Sequence, residues 1–253
     1  MPQLARNLSG RLIGRDISYY PRLSSTMEVA RDRARHRVPE GAVILAGEQT
    51  AGRGRMKRAW ISPLGSISLS VILYPDISRL PHLVMIASLA VARSIEQVTG
   101  LKTALKWPND VLIRGKKVCG ILIENELSGS AVSYAIIGIG INVNFTVCRL
   151  PQIASFATTL ADELGHEIPL TDLVGALLAE MDWLYAKPAS DSIYREWRDR
   201  LETLGKPVTV TSGHTVMHGT AEAVAPDGSL LLRQEDGTLS RVIAGEITLR
   251  DSS

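Results

Sequence analysis

Between Gln49 and Trp60 the chain reads Q-T-A-G-R-G-R-M-K-R-A-W, and no acidic residue occurs from Gln49 through Pro75. The net charge of the whole chain is only +2, so Arg53, Arg55, Lys57 and Arg58 are a local concentration of positive charge. Guanidinium forks match phosphate oxygens two bonds at a time. Gly52 and Gly54, set among the arginines, let the backbone come close to a ligand. Such a loop, ending in Trp60, could hold a polyphosphate and cover an aromatic base. Taken alone it reads equally as a solvated basic loop or a contact patch for nucleic acid.

A second segment with chemical content is Lys106-Trp107-Pro108-Asn109-Asp110, in which the proline forces a turn and the amide and carboxylate project from it. Lys117 follows a turn, Arg114-Gly115-Lys116-Lys117. The apolar run Tyr134 to Val143 carries Gly138 and Gly140 and ends in Asn142-Val143. Glycine weakens a strand and often marks a close approach by a ligand or another backbone. Ser25 and Thr26 precede a charged helical stretch over 27–37, and as helix caps they need no further role.

The elements that position these groups follow from periodicity. Residues 42–46 and 66–74 read as strands, the second alternating small polar and apolar residues. Residues 83–98 are apolar nearly all round and predict a helix lying on a sheet, stopped at Gly100. Strand patterns recur at 101–107, 111–113, 118–124 and 134–143. Helices are expected at 159–164, 170–186 and 192–204. After Gly205 the composition changes to short strands at 208–210, 219–224, 229–233 and 241–243. Turn signals at Asp227-Gly228 and Asp236-Gly237 separate them. A large domain over 1–204 and a small β-barrel over 205–253 are the expected organisation.

Composition narrows the function classes. The 253 residues are 45% hydrophobic and 21% charged, ordinary for a globular protein with a full core. The two cysteines, Cys119 and Cys148, suggest no disulfide framework and fit a reducing cytoplasm. Residues 1–16 lack the apolar core of a signal peptide and read as a disordered or strand-forming lead-in, and no apolar run reaches the roughly 20 residues of a membrane span. The phosphate loop G-x-x-x-x-G-K-[ST], the dinucleotide fingerprint G-x-G-x-x-G and the hydrolase elbow G-x-S-x-G are absent. The histidines His36, His82, His166, His214 and His218 form no metal pattern, and no metal bound directly by protein is expected. Only 5% of residues are aromatic, which argues against a stacking platform for single-stranded nucleic acid.

In order and spacing, G-R-G-R-x-x-R-x-W, K-W-P-N-D, K-x-x-G-I-L and I-G-x-G-I-N-V closely resemble the biotin–protein ligases, and Gly245 to Arg250 (G-E-I-T-L-R) resembles that family's closing barrel. The likeness runs from about Leu23 to Arg250. It implies an α+β fold of the class II synthetase-like, biotin–lipoate ligase type: a mixed central sheet covered by helices, with a C-terminal SH3-like barrel. It also implies two reactions at one site. Biotin and ATP give biotinyl-5′-AMP and pyrophosphate with Mg²⁺. A lysine of a biotin carboxyl carrier domain then takes the biotinyl group. The resemblance assigns Ser25, Thr26, Gln49, Gly52, Arg53, Gly54, Arg55, Lys117 and Gly120 to biotin. It assigns Arg53, Arg55, Arg58, Trp60, Asn109, Gly138, Gly140 and Asn142 to ATP, and catalysis to Arg55, Lys117 and Asp110.

Two departures stand out. The family often has Gly where Lys57 stands, and Asn where Met27 stands, so Met27 is expected to contribute backbone alone. Some members carry an N-terminal DNA-binding domain. About 20 residues precede Leu23, too few for one, and no DNA or membrane partner is expected. A homodimer is compatible with this reading. A lipoate ligase is the nearest alternative, and the arginine-dense loop and K-W-P-N-D favour biotin over it.

Overall fold

A computed structural model describes residues 11–188, 191–213, 215–243 and 245–249. His214, Arg250 and most of the N-terminal lead-in lie outside the described residues. Seven strands form one sheet in the order β1-β2-β3-β7-β6-β5-β4. They are β1 (Ile17–Tyr20), β2 (Val43–Ala46), β3 (Ile67–Leu73), β4 (Ala104–Lys106), β5 (Asp110–Ile113), β6 (Lys116–Ser128) and β7 (Ala131–Ile141). Only β1 and β2 pair in parallel, so the sheet is mixed, as expected.

Each face of this sheet takes a different cover, and the alternation along β3 decides which. Ile67, Leu69, Val71 and Leu73 point into the main core, where α2 (His82–Thr99) lies. The intervening Ser68, Ser70 and Ile72 point to the opposite face, where α1 (Thr26–Arg35) packs through Met27, Ala30 and Ala34. Helix α2 is buried along most of its length. It stops at Gly100, whose φ of 72° is left-handed and open to glycine without strain. Helices α3 (Leu160–Leu164), α4 (Leu170–Ala186) and α5 (Asp191–Asp199) follow; α4 and α5 pack against α2. Thr159 caps α3 by accepting from Asp162 N–H at 3.0 Å.

One expectation needs correction. Helix α5 stops at Asp199 rather than running to Leu204. The reason is the outer edge of β4, which carries unpaired backbone groups. Leu105 N–H donates to Arg200 O at 2.8 Å, and Glu202 N–H donates to Leu105 O at 2.8 Å. The chain leaves the helix to cover that edge. Strand β1 begins just after the 1–16 lead-in and extends the sheet by pairing with β2.

The tail folds as a second, antiparallel sheet in the order β11-β10-β9-β8-β12. Its strands are β8 (Pro207–Ser212), β9 (Thr215–Val224), β10 (Leu230–Arg233), β11 (Leu239–Val242) and β12 (Glu246–Leu249). Gly228 and Gly237 have φ of 81° and 84°, as tight turns at those places require. The sheets are tied through the K-W-P-N-D segment: Trp107 N–H donates to Thr203 Oγ1 at 3.0 Å, and Trp107 Nε1 donates to Gly228 O at 2.8 Å.

Candidate active site

The floor of the site is a row of paired residues crossing the main sheet. Ser68 on β3 faces Gly140 on β7, Gly140 faces Gly120 on β6, and Gly120 faces Asp110 on β5. The next row on the same face is Ser70, Gly138 and Leu122. Glycines in the middle of strands cost stability, so their presence here calls for a reason. The space they leave is occupied. A Cβ on Gly140 would lie 2.3 Å from Trp60 Nε1, and one on Gly120 would lie 3.0 Å from the same ring. A Cβ on Gly138 would lie 2.6 Å from Met27 Sδ. The Met27 side chain therefore lines the site, contrary to the expectation that only its backbone would contribute.

Above this floor the Gln49–Trp60 segment forms a flap. It is a small hairpin in which Trp60 N–H donates to Gly52 O at 2.9 Å and Gly54 N–H to Arg58 O at 2.8 Å. At its tip Met56 and Lys57 hold φ of 51° and 60°. Two consecutive non-glycine residues in the left-handed region are costly, roughly 1–2 kcal/mol each. The position where the family often places glycine is thus one whose backbone suits glycine.

Between flap and floor is a cavity of about 640 Å³. That volume suits small-molecule ligands. Every site residue singled out in the sequence lies on its wall except Gly52. Gly52 instead packs against the flap's own return strand, where a Cβ would meet Trp60 O at 2.4 Å. The wall also carries residues that spacing did not single out, among them Phe156, Glu246 and Thr248. Glu246 is on the C-terminal sheet, and no local signal links it to a loop far upstream.

The cations converge on the cavity. Arg55 is half-buried and donates to Asn109 Oδ1 at 3.2 Å and Gly245 O at 3.1 Å. Burial pulls its pKa below the usual arginine value, with Glu246 and Asp110 opposing. Arg53 keeps Nε and Nη2 buried without hydrogen-bond partners, and Glu124 Oε1 stands 3.9 Å from Nη2. Arg58 is largely exposed and reaches Glu246 in a short ion pair. Lys117 Nζ lies 2.6 Å from Asp110 Oδ1 and 5.5 Å from the Trp60 ring centroid. The pair is close but poorly directed, since Asp110 Oδ1 makes no hydrogen bond by angle.

Neutral polar groups complete the wall. Ser25 opens α1, yet its hydroxyl makes no cap bond and is buried without a partner. The simple capping role therefore fails. Gln49 Oε1 instead takes Thr26 N–H at 2.8 Å. Asn109 Nδ2 donates to Ile121 O at 2.6 Å, and buried Asn142 Nδ2 donates to Thr158 O at 3.1 Å, so both amides are fixed. Trp60 Nε1 is buried and unpaired. Unpaired buried polar atoms are uncommon in folded proteins. Among the described residues five such atoms lie around this cavity, Ser25 Oγ, Arg53 Nε and Nη2, Trp60 Nε1 and Asp110 Oδ1, while Arg11, Ser66, Arg79 and His82 carry one each elsewhere. Buried Cys119 is not part of this set, and burial pushes its thiol pKa well above the usual value. Among the described residues no group of three or more His, Cys, Asp or Glu side chains could hold a metal ion.

Residues 19–142 match the profile described as the Biotin/lipoate A/B protein ligase family. Residues 203–250 match that of the Biotin protein ligase C terminal domain. The chain is 34% identical to the bifunctional ligase/repressor BirA of Bacillus subtilis over 96% of its own length and 76% of the relative's. It is 32% identical to the biotin–[acetyl-CoA-carboxylase] ligase of Paracoccus denitrificans, over 78% of this chain and 85% of that one. Among solved structures it is similar to the biotin protein ligase from Aquifex aeolicus in complex with biotin and ATP. The TM-score is 0.78 and the identity 29%, with 94% of this chain and 100% of that chain covered.

Proposed function

The chain belongs to the biotin protein ligase family, and from that premise we propose how its cavity carries out the reaction. The activity is that of a biotin–[acetyl-CoA-carboxylase] ligase: biotin is activated by ATP to biotinyl-5′-AMP and then joined to a lysine of an acceptor protein. The observation that carries the assignment of this cavity is the convergence of Arg53, Arg55 and Lys117 over a floor of glycines.

In the first step a carboxylate oxygen of biotin attacks the α-phosphorus of ATP and pyrophosphate leaves. Two anions must meet, and their repulsion falls only if cations stand at the meeting point. Lys117 is placed to leave Asp110 for the biotin carboxylate. Arg55, pre-oriented by Asn109 and the Gly245 carbonyl, is placed to hold the phosphate. Arg53, with donors unspent, serves both ligands. Arg58 adds charge at the rim and is free to exchange Glu246 for the leaving pyrophosphate. Ser25, Thr26 and Gln49 are the polar set for biotin's ring. Gly120, Gly138 and Gly140 make room for the Trp60 ring and the Met27 side chain that line the cavity. Trp60 would cover the adenine, with Asn142 beneath it.

In the second step the acceptor's lysine amine attacks the anhydride carbonyl. The bond to the bridging oxygen breaks, AMP leaves with that oxygen, and the amine loses a proton. Asp110, freed when Lys117 turns to biotin, is the carboxylate placed to orient that amine. The acceptor is a biotin carboxyl carrier domain. Mg²⁺, which favours phosphate and water oxygens, would arrive on the nucleotide, with Asn109 and Asp110 as its neighbours. That suits a site without a cluster of metal-ligating side chains. The catalytic unit would end at residue 204 and the closing barrel begin at 205.

The test is incubation with labelled biotin, MgATP and a carrier domain. Label should become covalently attached to one acceptor lysine, and labelled lipoate should not. Transfer of lipoate, or no transfer at all, would reject the proposal.

A further inference from the structure

Gln49 ends in an amide whose two heavy atoms are chemically opposite: the oxygen accepts, the nitrogen donates. Thr26 N–H lies 2.8 Å from Gln49 Oε1, and Thr26 Oγ1 lies 3.1 Å from the same oxygen. A backbone N–H can only donate. The oxygen must therefore face α1, which leaves the nitrogen facing the flap, 3.1 Å from where a Gly52 Cβ would stand. Thr26 has one hydroxyl hydrogen, and Oε1 takes it. Ser70 Oγ, 2.8 Å from Thr26 Oγ1, is then the donor of that contact. The three groups form a directed chain, Ser70 to Thr26 to Gln49.

Ser70 is fully buried on β3, opposite Gly138 of the floor. A serine there could satisfy its hydroxyl on the nearby backbone, but its hydrogen is spent on another side chain. We infer that Ser70 is a positioning residue for biotin. By donating to Thr26 it fixes Thr26 as a donor, holds Gln49 Oε1 inward, and directs the Nε2 hydrogens at an acceptor oxygen on the ligand. A ureido carbonyl is a group of that class. The inference rests on the proposed ligase reading. Without Ser70 the Thr26 hydroxyl can rotate, and Gln49 loses one of the two donors that orient it.

The experiment is calorimetric titration of the wild type, Ser70→Ala, Thr26→Val and the double variant. Two ligands are used: biotin, and an analogue with an imino group in place of the ureido oxygen. Ser70→Ala is expected to weaken biotin about threefold to tenfold, the size of one hydrogen bond. The analogue, which offers a donor there, should change by less than about twofold. In the Thr26→Val background the loss from Ser70→Ala should vanish, because coupled residues are not additive. Ser70→Cys, nearly isosteric and a weaker donor, should fall between serine and alanine, and it carries the test if the alanine variant does not fold. Unchanged biotin affinity, equal losses for both ligands, or an undiminished loss without the Thr26 hydroxyl would overturn the inference. A wild type that does not bind biotin would instead sink the ligase reading.

Discussion

The flap and the floor enclose the same cavity and are built on opposite principles. In the floor, Gly138, Gly140 and Gly120 are locked in paired strands, and nearly every neighbour is buried. In the flap, Met56 is exposed, and Met56 and Lys57 hold left-handed backbone at a cost. The floor contributes shape, fixed neutral donors and a cation, Lys117. The flap contributes most of the positive charge. Its arginines hang from bonds that ligands can replace: Arg58 on Glu246, and Arg55 on a backbone carbonyl. A rigid half thus selects the ligand, and a half held by exchangeable contacts closes on it.

The largest effect should come where the floor itself carries charge. Lys117→Ala is expected to slow pyrophosphate release about 100-fold or more, the scale for losing a group aimed at developing charge. Circular dichroism should be unchanged. A rate near the wild type would leave Lys117 as the counter-ion of Asp110 alone, and charge would belong to the flap only. A smaller effect, about tenfold, is expected from Gly140→Ala, because the new methyl must displace the Trp60 ring or strain β7. Faster loss of biotinyl-5′-AMP with little change in melting temperature would show that the flap yields and the floor does not. The reverse pattern would break the comparison. Smallest of all, Lys57→Asn should make the flap tip cheaper to hold, since asparagine tolerates the left-handed region better. Adenylate release should slow by about twofold to fivefold, from a gain of about 0.5–1 kcal/mol. Faster release would mean that the lysine's charge outweighs the backbone cost.

Much of the floor was legible in the chain itself. Strand alternation placed Ser68 and Ser70 on the face of β3 opposite Ile67, Leu69 and Val71, and glycines inside an apolar run pointed to a close approach. The flap was legible from its missing acids. Contacts set by tertiary folding were not legible. Glu246 meets Arg58 and Gly245 meets Arg55 across 188 and 190 residues of sequence, and no spacing rule spans that distance. Ser25 has the residue type and position of a cap, but its hydroxyl makes no cap bond, and Gln49 reaches in from a distant loop to take the first helical N–H, that of Thr26. The end of α5 was misplaced because its helical pattern continues while the edge of β4 competes for its backbone.

The Gly-Ile-Gly-Ile cadence of β7 has one more consequence. Side chains in a strand alternate, so sliding β7 by a single residue against β3 and β6 would present Ile139 and Ile141 where Gly138 and Gly140 now lie. Such a molecule could still bury oily surface and look folded by bulk measures. Its reaction chamber, however, would be plugged with branched hydrocarbon. Catalytic competence in this protein is therefore also a check on strand alignment, made in one place to the accuracy of a single peptide unit.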